Sequence, residues 1–493
     1  MDPVLRMRTA INNYTVNVKI SILFKRRSNM TTFYDAVKNS REHSSNETRT
    51  DNGMPALISS TDPVVDLFYK IGSSRDIDIT PYFIKSYAKD ALLSLRIALW
   101  ARDIRGGAGE RKTFRAILQF LRGINSSHLA AILRRVPDVG RFDDLLVVDH
   151  PESYEIISRE LGNKNSLCAK WMPRKGSIAA RLRKNLKLSP KQYRKLLVSL
   201  TTVVESKMCA NAWTSITYPH VPSKAMNNYS NAFNRHDPEG FLSYKESLKN
   251  GDVTINAATL YPYDLINAIR NGKDLDIIIA QWDALPNYMG SDSILAMVDV
   301  SGSMDEPVND KSKITRLEIA ISLGLYLSDK NSGKFKDMFL TFSESPDLMI
   351  LEGNLPQKML QMENSHWGQN TDLEKAFTKV LEVAVRNNVP YEEMPSAMII
   401  LSDMQFDSCI GYDDSAMAMI RRQYHSHGYK APNIIFWNLG GSDNIPVNCN
   451  EHGCALISGF SPGLMKSLLA DPNINPQKIM RNTIMNARYD FDI

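Results

Sequence analysis

Cysteine is scarce in this chain: five residues in 493, odd in number and scattered as Cys168, Cys209, Cys409, Cys449 and Cys454. That argues against a disulfide scaffold and for reduced thiols in a cytoplasmic compartment. Long apolar runs are also missing. No stretch approaches the ~18 residues that a membrane-spanning helix needs, so no membrane partner is expected. The short segment Val16–Phe24 is interrupted by Lys19 and has no small-residue cleavage site, so it does not read as a signal peptide. A third absence is local. From Leu161 to Val204 there is no acidic residue at all, while eleven basic ones occur: Lys164, Lys170, Arg174, Lys175, Arg181, Arg183, Lys184, Lys187, Lys191, Arg194 and Lys195. Such a stretch makes a positive field suited to phosphates, with affinity but little sequence preference. Trp171 and Tyr193 are interleaved with these charges and are expected to stack on bases.

Composition is otherwise that of a globular protein, 43% hydrophobic and 23% charged. The length is too great for one core and suggests about two to four domains. The net charge of +5 is unevenly spread. Residues 291–493 carry 17 Lys and Arg against 26 Asp and Glu, a balance of −9, which leaves +14 on residues 1–290. A basic half joined to an acidic half suggests two tasks, polyanion binding and cation binding.

The pattern along the chain divides in the same way. Residues 1–53 read as a flexible N-terminal segment, its Asn39–Gly53 part rich in Ser, Asn, Thr, Arg and Glu, and Met30 is expected to be an alternative start. Residues 54–288 read as helices joined by short turns, an α-helical bundle or HEAT-like solenoid. Helices are expected at Ser86–Ile104, Glu110–Leu121, Ser127–Arg135, Pro151–Leu161 and Pro190–Glu205, with a glycine turn at Arg105–Gly109. Residues 289–493 alternate strand and helix, which predicts a doubly wound, mostly parallel sheet. The expected strands are Ile294–Asp299, Asp337–Phe342, Ala397–Leu401, Asn433–Trp437 and Ala455–Ile457. The overall class is α plus α/β.

The apolar run Ile294–Val298 leads directly into Asp299-Val300-Ser301-Gly302-Ser303. One carboxylate and two hydroxyls at alternate positions leave a buried strand together, offering hard oxygen ligands for Mg²⁺ or another divalent cation such as Mn²⁺. Thr371, before the helix-like segment from Leu373, offers a further hydroxyl. Asp403 ends a second buried-strand pattern, Ala397–Leu401. In parallel α/β sheets, ligand sites form at the carboxyl ends of strands. The set Asp299, Ser301, Ser303, Thr371 and Asp403 resembles the metal-ion-dependent adhesion site of a von Willebrand factor A domain. That resemblance implies ligand-completed coordination, in which a protein partner offers an acidic residue to the metal: binding rather than catalysis.

The helical half carries a second resemblance. Trp100–Arg111, Val139–Leu146, Ala169–Arg174 and Val221–Met226 resemble signatures of an uncharacterised family from plants, viruses and phages, related to the TROVE (Ro autoantigen) group. The resemblance runs from about Pro55 to the C-terminus. It implies a ring-like helical array that holds single-stranded RNA, closed by a von Willebrand A domain.

Other signals are weaker. Gly106–Thr113 approaches a P-loop but has Arg111 where its second glycine belongs, and a helix precedes it. Cys449, His452 and Cys454 are compact but have no adjacent fourth ligand for zinc. His425 and His427 sit near a helix end. The site has two acidic ligands only, so a metal-dependent nuclease is disfavoured. The expectation is an intracellular, non-enzymatic protein that binds single-stranded or structured RNA through Lys170, Trp171, Arg174, Lys175, Arg181, Arg183, Lys184, Lys187, Lys191, Arg194 and Lys195, with a Mg²⁺-dependent module. The alternative is a metal-dependent protein-interaction adaptor that binds no nucleic acid.

Overall fold

The computed structural model describes residues 46–72, 78–201, 203–289, 293–308, 314–342, 345–365, 372–407, 416–440, 444–465 and 474–492. Thr48–Ile493 form one compact unit. Its first part is helical: α1 Pro63–Ile71, α2 Thr80–Lys89, α3 Ala91–Arg102, α4 Arg111–Ile124, α5 Ser126–Val139, α6 Pro151–Gly162, α7 Ser166–Trp171, α8 Gly176–Asn185, α9 Pro190–Leu200, α10 Val204–Cys209, α11 Ser223–His236, α12 Pro238–Lys249, α13 Pro262–Arg270 and α14 Leu275–Asp283. Side-chain caps punctuate this series. Asp90 accepts from the backbone of Leu93, Asn125 from Ser127 and His128, and Asn165 from Leu167 and Cys168. Each satisfies an otherwise orphaned N–H at a helix start.

The second part is a six-stranded sheet with helices on both faces: β1 Ile294–Asp299, α15 Arg316–Lys330, β2 Met338–Phe342, β3 Leu348–Ile350, α16 Leu355–Glu363, α17 Leu373–Arg386, β4 Ala397–Ser402, α18 Ala416–Ser426, β5 Asn433–Asn438, β6 Cys454–Ser458 and α19 Pro476–Ile484. The strand order is β3-β2-β1-β4-β5-β6. All neighbours are parallel except the edge strand β3, which runs antiparallel to β2. In the centre, Val298 lies opposite Leu401 on one side and Thr341 on the other.

Residues alternate between two cores along β1. Ile294, Ala296 and Val298 join the larger one, which continues through Phe68, Trp100 and Trp282 of the helical part. Leu295 and Met297 face the other, with Met398, Ile400, Phe377 and Tyr424. A third cluster of aromatics, including Tyr218, Phe233, Phe241 and Tyr244, packs α11, α12 and α14.

Three expectations need correction. The helix predicted over Ser86–Ile104 is two helices, because Asp90 adopts an extended conformation and caps α3. The helix predicted over Pro190–Glu205 ends at Leu200, and α10 begins at Val204. The segment expected to hang loose up to Gly53 is docked from Thr50 on: the Thr50 hydroxyl donates to the Phe406 carbonyl, and Met54 is buried. Residues 1–45, and with them most of the proposed flexible segment, lie outside the described residues.

Candidate functional site

Parallel pairing of β1 and β4 in this register brings Asp299 and Asp403 out at the same sheet edge. Both side chains are buried, Asp299 completely and Asp403 to 2% exposure. Asp299 accepts from the Ser301 backbone N–H at 2.9 Å through Oδ1 and from the Ser402 hydroxyl through Oδ2. The Ser301 and Ser303 hydroxyls lie 3.1 Å apart. A short 3₁₀ turn, Gly302–Asp305, holds the loop, with Met304 anchored in the core. Asp299, Ser301 and Ser303 thus share one loop, and Asp403 faces it from the next strand. Thr371 lies outside the described residues. Its neighbour Asp372 caps α17, accepting from the Lys375 N–H at 3.1 Å.

Burial, and secondarily the charge of Asp403, push the Asp299 carboxyl up to about 7. Of the two buried carboxylates at this edge, Asp403 has Arg316 beside it, while Asp299 has no cationic side chain paired with it among the described residues. A divalent cation would relieve this, and the oxygen-only donor set fits a hard ion. No group of three or more His, Cys, Asp or Glu side chains suited to a metal occurs among the described residues, so hydroxyls are essential to this one. Cys449 and Cys454 are buried, His452 is exposed, and burial pushes the Cys454 thiol up to about 12.

Three contributors escaped the motif. Arg316, at the start of α15, donates from Nη1 to Asp403 Oδ2 and to the Ser303 carbonyl, each at 3.2 Å, and pairs with Glu306 at 3.0 Å. Ser402 supplies the hydroxyl on Asp299. Gly440 is required for close approach, because a Cβ there would stand 2.4 Å from Asp403 Cβ. Only Ser402 had a sequence signal, its place at the end of a buried strand beside Asp403. The other two come from distant segments and have no fixed spacing to the motif.

The basic stretch folds into α7–α9. Lys170, Arg174, Lys175, Arg181, Lys184, Lys187, Lys191, Arg194 and Lys195 are exposed, while Arg183 is half-buried. Among the described residues, Arg181 pairs with Asp149, and Lys170 stands 3.9 Å from Glu205. Arg174, Lys175, Lys184, Lys187, Lys191, Arg194 and Lys195 form no ion pair there. The stacking role expected of Tyr193 is overturned: the ring is fully buried, and its hydroxyl donates to the Pro173 carbonyl at 3.1 Å. Trp171 is half-buried, and the Arg141 guanidinium covers one face at 3.7 Å. Arg141 belongs to a charge network around Asp144, which is inaccessible and pairs with Arg102 at 2.7 Å and Arg115 at 2.6 Å. The glycine-rich turn before α4 likewise has a structural role. Gly107 N donates to the Asp103 carbonyl and Glu110 N to the Ala101 carbonyl, closing the turn between two helices.

No helix among the described residues is long and apolar enough to cross a membrane. The helical part matches the family described as Domain of unknown function (DUF2828) over residues 50–138 and 156–297. The sheet-bearing part matches Domain of unknown function (DUF7788) over residues 293–489. The Ro protein of Deinococcus radiodurans aligns over 87% of this chain and 100% of its own, at 14% identity and a TM-score of 0.43. Nearly the whole chain is similar to an uncharacterised protein, L728, of Acanthamoeba polyphaga mimivirus, 28% identical over 88% of this chain and 86% of the viral one.

Proposed function

We propose that this chain is a non-enzymatic, intracellular RNA-binding protein whose sheet-bearing part is a von Willebrand A-type module that takes Mg²⁺ and a protein partner's carboxylate. The TROVE-like signatures of the helical part favour RNA as the polyanion. The observation that carries the reading is the exposed face of α8 and α9, where Lys184, Lys191, Arg194 and Lys195 form no ion pair among the described residues, although Arg181 pairs with Asp149. Phosphates of single-stranded or structured RNA complement that face, and binding there is electrostatic and strongly salt-dependent.

The module rests on the Asp299/Ser301/Ser303 loop facing Asp403. A bound divalent cation would supply an open coordination position for an incoming acid. The chain's own residues do the rest. Ser402 and the Ser301 backbone fix the Asp299 carboxylate, and Gly440 lets Asp403 sit close.

The test is RNA retention by the full chain at ~50 mM salt, where phosphate contacts are strongest. Lys184→Glu with Lys187→Glu should weaken RNA binding and leave Mn²⁺ binding intact, and Asp299→Ala should do the reverse. Absence of any RNA retention at that salt removes the RNA reading. Partner capture that chelator and Asp299→Ala both abolish, in a protein that retains no RNA, would establish an adaptor instead.

A further inference from the structure

Three of the four segments that resemble family signatures meet at one place. Arg102 and Arg111 come from Trp100–Arg111, Arg141, Asp143 and Asp144 from Val139–Leu146, and Lys170 and Trp171 from Ala169–Arg174. With Arg115 they form a charge cluster that runs from the interior to the surface. At its inner end the inaccessible Asp144 holds Arg102, also buried, at 2.7 Å. Midway, Arg115 reaches Asp144 at 2.6 Å and Asp143 at 2.8 Å, and Arg141 engages both oxygens of Asp143. At the outer end stands Arg111, one turn before Arg115 on α4 and so on the same helix face. Arg111 is exposed and forms no ion pair among the described residues.

Four guanidiniums thus meet two carboxylates. Partial burial first, and then the charges of Arg141 and Arg115, pull the Arg111 guanidinium below its ordinary range. Its charge is therefore held against the stability of the free protein, which is a property of binding sites rather than of scaffolds. Arg141 is fixed in place: two of its nitrogens are on Asp143, and its guanidinium lies 3.7 Å over the Trp171 ring. Lys170 Nζ stands 5.8 Å from the same ring. Helix α7, which carries both Lys170 and Trp171, packs against α9, so the cluster adjoins the cationic face.

We propose that Arg111, together with Arg141, binds the terminal phosphate monoester of an RNA strand whose internal phosphates lie along the α8–α9 face. The inference rests on the RNA-binding reading above. Guanidinium groups offer paired N–H donors in the fork that phosphate oxygens accept. A monoester carries a charge of about −2 at neutral pH, whereas an internal diester carries about −1. The cluster has two more guanidiniums than carboxylates, so a strand end satisfies it better than an internal phosphate does. A face that by itself has little sequence preference then gains a dependence on how the strand terminates.

Fluorescence anisotropy on the full chain tests this, with internally labelled RNA oligomers of about 12 nucleotides. One probe ends in hydroxyls, one carries a 5′ phosphate and one a 3′ phosphate. The wild type should bind one of the phosphorylated oligomers roughly fivefold or more tightly than the hydroxyl-ended one, a modest gain for charge-assisted bonds at a partly exposed site. Arg111→Gln should bring that ratio close to one and unfold no earlier than the wild type, because an unpaired charge has been removed. Arg111→Lys keeps the charge, loses the fork and should give an intermediate ratio. Lys184→Glu with Lys187→Glu should weaken all three oligomers and keep the ratio. A wild-type ratio of one for both phosphorylated ends, or a ratio that survives Arg111→Gln, overturns the end site while leaving RNA binding in place. Release of the phosphorylated oligomer by a phosphoserine peptide at lower concentration than by unlabelled phosphorylated RNA assigns the cluster to a protein phosphate and likewise overturns it. No retention of any oligomer at ~50 mM salt overturns the RNA reading and this site together.

Discussion

Two residues at the sheet edge set the electrostatics of the candidate metal site, and they act in opposite directions. Arg316 is 18% exposed and lends a fixed positive charge to Asp403. An incoming divalent cation must share that carboxylate with it. At the few ångströms involved, like-charge repulsion in a partly buried setting is worth about 1–2 kcal/mol after screening. Arg316→Gln should therefore tighten Mn²⁺ binding roughly tenfold, read by titration calorimetry; weaker binding would make Arg316 a positioning group for Asp403 instead. Asp299 acts the other way. Its carboxyl is raised in the fold from 3.8 to about 7, by burial first and Asp403 second. The unfolded chain therefore ionises first as pH rises. Asp299 is fully tolerated below pH 3.8 and costs the folded state stability progressively up to about 7. In chelator, Asp299→Asn should match the wild type at the acid end and become the more stable protein towards neutrality, by denaturant melts. Added Mg²⁺ should shrink that advantage. At this scale the Asp299, Ser301 and Ser303 loop was legible, because the three are neighbours in the chain. It could not reveal Arg316 or Gly440, which become neighbours of Asp403 only when the sheet forms.

Among the elements, regular patterns were readable and short or interrupted ones were not. β1 and β4 are buried on both faces, so their continuous apolar runs announced them. β3 has three residues, half-buried to exposed, and carries no such signal. The break at Asp90 was masked because apolar residues recur at helical spacing on either side of it, while the cap depends on a backbone turn that spacing does not encode. The basic helices were legible as charge. The fates of Trp171 and Tyr193 were not, since Trp171 depends on which face of α7 meets the Arg141 turn and Tyr193 on which face of α9 meets α7. The Arg141 turn is held by Asp144. Its carboxylate accepts from Arg102, Arg115 and the Arg141 backbone, with no access to water. Removing the acid strands buried guanidinium charge, a loss typically of about 3–5 kcal/mol. Asp144→Ala should lower the urea midpoint accordingly without altering the slope, and it should release Arg141 from Trp171, visible as a change in tryptophan fluorescence. A variant as stable as the wild type would show that this network is solvated in solution.

For the molecule as a whole, the basic half and the acidic half are different in charge yet not independent in structure. The larger core passes without interruption from Phe68 and Trp100 to the β1 face. The chain's end also returns to the helical part. Arg488 engages Asp103 through two nitrogens, the Tyr489 hydroxyl donates to the same carboxylate at 3.2 Å, and Arg135 donates to the Arg488 carbonyl at 3.1 Å. Asp103 is buried and also closes the turn after α3 through its backbone. A partner held at the metal edge and an RNA on α8–α9 would therefore be carried by one compact unit, so each should be felt as added stability by that unit. Heating should give a single calorimetric transition, raised by Mg²⁺ and by RNA in turn. Arg488→Ala removes the bidentate pair but leaves the core. It should lower the transition temperature by several degrees, since losing a half-buried charge pair costs about 2–3 kcal/mol. If the link is mainly these C-terminal contacts, the transition in Arg488→Ala should split in two, with Mg²⁺ moving only one half. If the shared apolar core dominates, as its continuity indicates, the transition should stay single and keep responding to both ligands.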